Sequence, residues 1–436
     1  MGRALPGQQI RHHRNPPHRP AGQELVSDTA QRAAERAARE SYGRLLAFLA
    51  ARTRDVAGAE DALAEAFASA LASWPEQGVP ANPDAWLLTV ARRRQTDAYR
   101  RVGTSRAGEM HLTLMREELD DLAMTPEAIP DRRLALMFAC AHPDIDPSLR
   151  SPLILQTILG LTAADIGAAF LIPAATMGQR LVRAKSRIAE LGIAFEIPDT
   201  EDLPSRLDAV LEAIYAAYAK GWNDLVGEAG GQLAEEAIWL GRLVVALLPS
   251  SPEAKGMLAL MLYSHARRAA RRSPTGAYVP LDEQDTALWD MEAIEAAETI
   301  LRAASSAGPT GRCQLEAAIQ SAHVVRRLTG ADNWPIVVKL YDILHAMTGS
   351  PVVLLNRAAA LAETEGPTAA LASIAPLADD KRMADYQPYW AVRGRLLAEI
   401  GNREAAHEAL TLAMGLSTDP AIRNWLEARR ADLLAG

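Results

Sequence analysis

Thr176, Gln179, Arg180, Arg183 and Arg187 fall at spacings that place all five on one face of a single helix. Gln and Arg side chains hydrogen-bond adenine and guanine edges, and the remaining guanidinium charge engages phosphates and releases counterions. Such a face suits the major groove of DNA. An Arg-rich face is also an ordinary solvated surface, so these five residues alone leave both readings open. The element that must hold them is legible around them. Met177, Leu181, Ala184 and Ile188 recur on the opposite side as an inward stripe. Upstream, Thr162 with Asp165 three positions on can cap a short helix. Ile166 and Phe170 give that helix an apolar edge, and Pro173 stops it while opening the next. Residues 153–191 are therefore expected to form a helix-turn-helix.

A second cationic group lies earlier. Arg92, Arg93, Arg94, Arg100 and Arg101 stand against the single Asp97 at the far end of a helix that starts near Pro83 or Asp84, with Trp86, Leu87, Val90 and Ala91 as its inward set. Holding single-stranded DNA needs a cationic track and a pocket or stacking surface for an unpaired base, and both ingredients are present. The competing readings are a favourable interaction of the arginines with the helix dipole, and Trp86 as core rather than stacking platform. A Pro-rich loop, 74–84, precedes this helix. Before it, residues 56–74 read as a helix with Ala59, Leu63, Ala66, Phe67, Ala70 and Leu71 on one stripe, and an Ala- and Arg-rich helical segment runs from Asp28 to about Arg52.

Other chemistries find little support. His12 and His13 sit in a basic, aperiodic segment, 1–26, expected to be a disordered tail, where a solvated pair is the plainer reading. Cys140, His142, Asp144 and Asp146 resemble a metal set in type, but one Cys and one His with Pro143 and Pro147 fit a turn better. HExxH, a phosphate loop after a strand and a nucleophile elbow are missing from the sequence. No metal, cofactor or covalent chemistry is expected.

The chain has 436 residues, enough for two or three domains, and half of them are apolar. Residues 201–436 carry 22 Lys and Arg against 30 Asp and Glu, so the whole net charge of −8 lies there and residues 1–200 are neutral with local basic segments. No apolar run approaches the roughly 18 residues of a membrane span, and the first residues lack the apolar centre of a signal peptide. The expectation is a cytoplasmic protein without a membrane partner. Cys140 and Cys313 are expected to be core thiols.

The segments 55–74 and 82–101, followed by the helix-turn-helix, resemble domains two and four of extracytoplasmic-function (ECF) sigma factors in order and spacing. In that family domain two binds the β′ clamp helices of RNA polymerase and melts the minus-ten element. Domain four reads the minus-thirty-five element and touches the β flap. The resemblance implies core-polymerase contacts at Glu60, Asp61, Leu63, Glu65 and Phe67, although Ala64 stands where that motif frequently has Gln. It implies contacts to the melted strand at Asn82, Trp86, Arg92, Arg100 and Arg101, and to duplex DNA along the helix of Arg180.

The remaining residues are rich in Ala and Leu, with breaks at 248–252, 272–280, 308–311, 348–351, 365–367 and 401–402 that suggest helical pairs. Trp390, Gly394, Leu397, Ala406, Leu410 and Ala413 resemble the tetratricopeptide signature. The chain as a whole, including 258–290, resembles the sigma subgroup with a tetratricopeptide-like (DUF6596-type) extension. The expectation is an all-α protein: tail 1–26, sigma domain two 27–103, linker 104–128, sigma domain four 129–195 and helical extension 200–436. Its partners would be core polymerase, promoter DNA and a regulatory protein or ligand on the repeats. For Arg267, Arg268, Arg271 and Arg272, binding of an anionic partner and a solvated loop edge both stay open. The rival for the whole chain is a helix-turn-helix regulator with a repeat sensing domain, which leaves the Glu60 to Arg101 block unexplained.

Overall fold

A computed structural model describes residues 31–38, 41–102, 132–170, 172–199, 202–223 and 228–435. The expected tail 1–26 and linker 104–128 lie outside these residues. Every regular element among those described is helical, beside one isolated bridge between Arg272 and Tyr278. The chain divides into two compact units, Met1–Leu207 and Asp208–Gly436.

In the first unit α1 covers 31–38, α2 Tyr42–Thr53, α3 Val56–Gln77 and α4 Pro83–Val102. They are followed by α5 Arg133–Cys140, α6 Pro147–Leu159, α7 Ala163–Ala169 and α8 Ala174–Leu191. Local chemistry sets the boundaries. The Asp55 carboxylate accepts the Gly58 N–H at 2.9 Å to open α3, and the Asn82 amide oxygen accepts the Ala85 N–H at 3.1 Å to open α4. Pro147 and Asp146 open α6 after a turn through His142 to Ile145, as the sequence suggests for this segment. Cys140 is buried beside the Thr157 hydroxyl, and burial pushes its thiol up to about 12.

The two segments expected as separate modules share this one unit. Leu45, Leu46, Leu63 and Leu87 of the first are fully buried, as are Phe138, Leu153, Ile154, Met177 and Leu181 of the second. The reason lies in α2, whose residues from Leu45 to Ala50 are all buried, leaving no solvent-facing side along this stretch. It packs on α3 and also on α5 and α6. Gly43 permits the approach, since a Cβ there would overlap the Ile158 carbonyl group of α6.

The chain leaves the first unit through α9, Leu203–Asn223. In the second unit, α10 is Glu228–Leu247, α11 Pro252–Ala266, α12 Met291–Ser305, α13 Arg312–Thr329, α14 Trp334–Thr348 and α15 Pro351–Glu365. Then come α16 Pro367–Ser373, α17 Lys381–Ala384, α18 Gln387–Glu399, α19 Arg403–Leu416 and α20 Pro420–Ala435. Each break read from the sequence coincides with a helix boundary. At the pair α18 and α19, a Cβ on Gly394 would lie 2.8 Å from the Leu410 side chain, so glycine sets the closeness of the helices. Ala406, Leu410 and Ala413 are buried along the same contact, with Trp390 packed over it.

The loop between α11 and α12 corrects the expectation for its arginines. Arg267 is 9% exposed and donates to Gln320 at 2.7 Å, while Arg268 and Arg271 donate to the Gly221 and Trp222 carbonyls at the end of α9. Arg271 also lies over the Trp222 ring, 4.0 Å from its centroid, and burial lowers its guanidinium to about 10. Arg272 pairs with Asp419. These side chains are internal ties, not a solvated edge. Further along the loop Asp282 meets Arg326 at 2.6 Å and Glu283 meets Arg429 at 2.7 Å, so the segment straps helices distant in sequence.

Candidate nucleic-acid interface

The short helix α7 opens on a capping box. The Thr162 hydroxyl accepts the Asp165 N–H at 3.1 Å and the Asp165 carboxylate accepts the Thr162 N–H at 3.2 Å. The chain then reverses sharply. The Ile172 N–H donates to the Gly167 carbonyl at 2.8 Å, and a Cβ on Gly167 would sit 2.5 Å from the Ile172 carbonyl oxygen. Only glycine fits there. Pro173 starts α8, whose Met177, Leu181, Ala184 and Ile188 are buried as expected. On its outer face Thr176, Gln179, Arg183 and Arg187 are exposed and Arg180 is half-buried. Arg187 reaches Glu190 at 3.7 Å, and Arg183 makes a long contact with the Gln179 carbonyl at 3.4 Å. Both leave guanidinium edges free for other acceptors.

Lys185 is the residue that the sequence reading missed. Its signal was present: it lies four residues after Leu181 and three before Ile188, on the margin of the buried stripe. It is 7% exposed and pairs with Glu60 of α3. Burial raises the Glu60 carboxyl above the usual range against the pull of Lys185, and the neighbouring Asp61 and Asp55 add to the rise. A second tie runs from the Arg54 guanidinium to the Gly192 carbonyl at 2.8 Å.

The residues expected to touch polymerase separate by position. Asp61 and Glu65 are exposed, Phe67 is half-buried, Glu60 is committed to Lys185, and Leu63 is fully buried. Leu63 belongs to the core that holds α3. The residues expected to touch the melted strand also divide. Asn82 is exposed and caps α4, while Trp86 is half-buried with its ring edge-on to Trp74, centroids 5.4 Å apart. Trp74 itself is 1% exposed, so the pair joins core to surface. Arg92 faces inward instead of outward: it is 6% exposed and lies over the Phe48 ring, 4.8 Å from its centroid. Arg93 and Arg94 hold the outer face, with Arg94 paired to Glu65 at 3.2 Å. The side chains of Arg100 and Arg101 lie outside the described residues.

Sequence comparison matches residues 37–104 to Sigma-70 region 2 and residues 206–305 to a family of unknown function (DUF6596). The chain belongs to the sigma-70 family. Its role is that of an RNA polymerase sigma factor, with core RNA polymerase and promoter DNA as the partners implied. This sigma-70 chain is also 36% identical over 392 residues to an uncharacterized protein of Rhizobium meliloti (strain 1021), covering 87% of this chain and 90% of that one. No solved structure matches it. Among the described residues no helix is long and apolar enough to cross a membrane.

Proposed function

We propose that this sigma-70 chain is an extracytoplasmic-function sigma factor, acting in the cytoplasm without covalent chemistry of its own. It directs core polymerase to a set of promoters under the control of its helical extension. The observation that carries the reading is the match to Sigma-70 region 2 joined to an exposed Arg and Gln face on a helix-turn-helix. In this reading the β′ clamp helices meet α3 through Asp61, Glu65 and Phe67, and Glu60 becomes available once Lys185 releases it. The α8 face of Thr176, Gln179, Arg180, Arg183 and Arg187 reads duplex DNA. Asn82, Trp86 and the cationic end of α4 with Arg100 and Arg101 hold the melted strand. Arg92 supports that surface from inside, and the remainder of domain four touches the β flap.

The test is association. Purified chain mixed with core polymerase should co-elute in gel filtration, and Asp61→Lys with Glu65→Lys should shift it back to the free position without unfolding it. A well-folded wild-type chain that never co-elutes with core enzyme would overturn the proposal.

A further inference from the structure

The second unit contains a half-open cavity of about 170 Å³ between the strap and helices α13, α14, α15 and α18. This is room for several waters, or for one small organic molecule, and too little for a nucleotide or a folded peptide. Its aromatic wall is Trp334 and Tyr341. The Arg326 guanidinium lies over the Trp334 ring, 4.2 Å from its centroid, and the His323 ring meets the same indole edge-on at 5.6 Å.

The charged groups bordering the cavity fall into two sets. In the first, the charged groups acting on His323 are two cations, Arg326 and Arg267, and one anion, Asp282. Asp282 pairs with Arg326, and Arg267 is held by the neutral Gln320 amide. Within the lining Arg326 and Asp282 balance, and the extra positive charge acting on His323 is that of Arg267, outside the lining. Two atoms of these lining residues are buried without a hydrogen-bond partner, His323 Nδ1 and Arg326 Nε. Burial and the two arginines lower His323 to about 4, so near neutrality it is an uncharged ring. In the second set Arg395 is shared between Glu363 of the lining and Glu399 outside it, at 2.9 Å from each, so Glu363 is only partly compensated. On α15, Asn356 and Glu363 are two helical turns apart, about 10 Å along the axis. The small Ala359 and Ala360 between them leave the space open.

A cavity of this size bordered by a guanidinium with an unpaired Nε–H, a partly compensated carboxylate and an aromatic wall complements a small zwitterion. We propose that it binds a free α-amino acid with an apolar side chain. The ligand carboxylate would face Arg326 and His323, its ammonium Glu363, and its side chain Trp334 and Tyr341. The unpaired Arg326 Nε–H is a donor that a carboxylate satisfies, and the shared guanidinium leaves Glu363 with unfilled acceptor capacity for an ammonium. The site deepens the regulatory role proposed for the extension, but the binding itself does not rest on sigma activity. A failure of either is therefore visible separately.

The experiment is calorimetric titration of the full chain with each of the twenty L-amino acids singly. At least one apolar amino acid should bind with one-to-one stoichiometry. Its N-acetyl and carboxamide forms should bind at least tenfold more weakly. Glu363→Gln and Arg326→Gln should each weaken binding at least tenfold, and Arg357→Gln, outside the lining, should leave it unchanged. If the charge variants fail to fold, Asn356→Ala, an exposed position in the lining, should weaken binding at least threefold. Absence of saturable heat with all twenty, binding of the blocked forms as tight as the free one, or unaltered affinity in every folded lining variant would overturn the proposal.

Discussion

Lys185 of α8 forms an ion pair with Glu60 of α3, so the helix that carries the Arg and Gln face is anchored to the helix expected to meet polymerase. Both partners are largely buried. Removing one leaves the other desolvated and uncompensated, whereas neutralising both removes the penalty with the attraction. Lys185→Ala should therefore lose about 3 kcal/mol in urea unfolding, the lower end of the range for a broken buried pair. Glu60→Gln with Lys185→Met should recover most of that loss. Equal stability of Lys185→Ala and wild type would show that the pair holds nothing together.

The exposed face of α8 makes a different demand. Arg180→Ala and Arg183→Ala should each weaken promoter binding by about 1 to 3 kcal/mol where a base contact is lost, with core-polymerase association unchanged. Filter binding at several salt concentrations separates the cases. A variant that has lost only a phosphate contact weakens all sequences alike and reduces the salt slope by about one. Unaltered binding in both variants would remove α8 from the DNA interface.

Three histidines give a signed pH dependence. Burial lowers His142, His265 and His323, the last to about 4. An unfolded histidine takes its proton near 6.5, so below that pH the unfolded chain binds more protons than the folded one, and stability falls as pH falls. The stability is fully present above about pH 6.5 and is lost towards pH 4, with His323 contributing at most about 3 kcal/mol. His323→Gln should flatten the slope of unfolding free energy between pH 6.5 and 4. An identical slope in the variant would mean that the imidazole stays solvated.

The first unit extends to Leu207, because Leu203 is buried and the Arg206 guanidinium reaches the Phe138 carbonyl at 3.3 Å. A chain ending at Leu207 keeps those ties. In promoter-dependent transcription it should remain folded and give lower output than the full chain, which makes the extension a required part. Higher output would reassign the extension as an inhibitor, and equal output would remove its regulatory role.

Much of this arrangement was legible in the sequence because it rests on local rules. The Thr162 and Asp165 box, the Pro173 boundary, the buried stripe of α8 and the breaks of the second unit follow from periodicity and capping. What was not legible depends on partners distant along the chain. The roles of Lys185, Arg92 and Arg272 are set by Glu60, Phe48 and Asp419. A charge in a helical pattern reads as surface until its partner is placed. The sharing of one core by the two segments expected as separate modules was hidden likewise, since the absence of a side chain at Gly43 matters only once Ile158 lies against it.

Initiation itself tests the central claim most directly. Core RNA polymerase with and without the full chain is supplied with fragmented DNA of the source genome, and the 5′ ends of the transcripts are mapped. The expected result is a set of start sites present only with the chain, sharing two upstream sequence elements and lost in the Arg180→Ala and Arg183→Ala double variant. A folded, core-bound chain that adds no start sites would contradict the account.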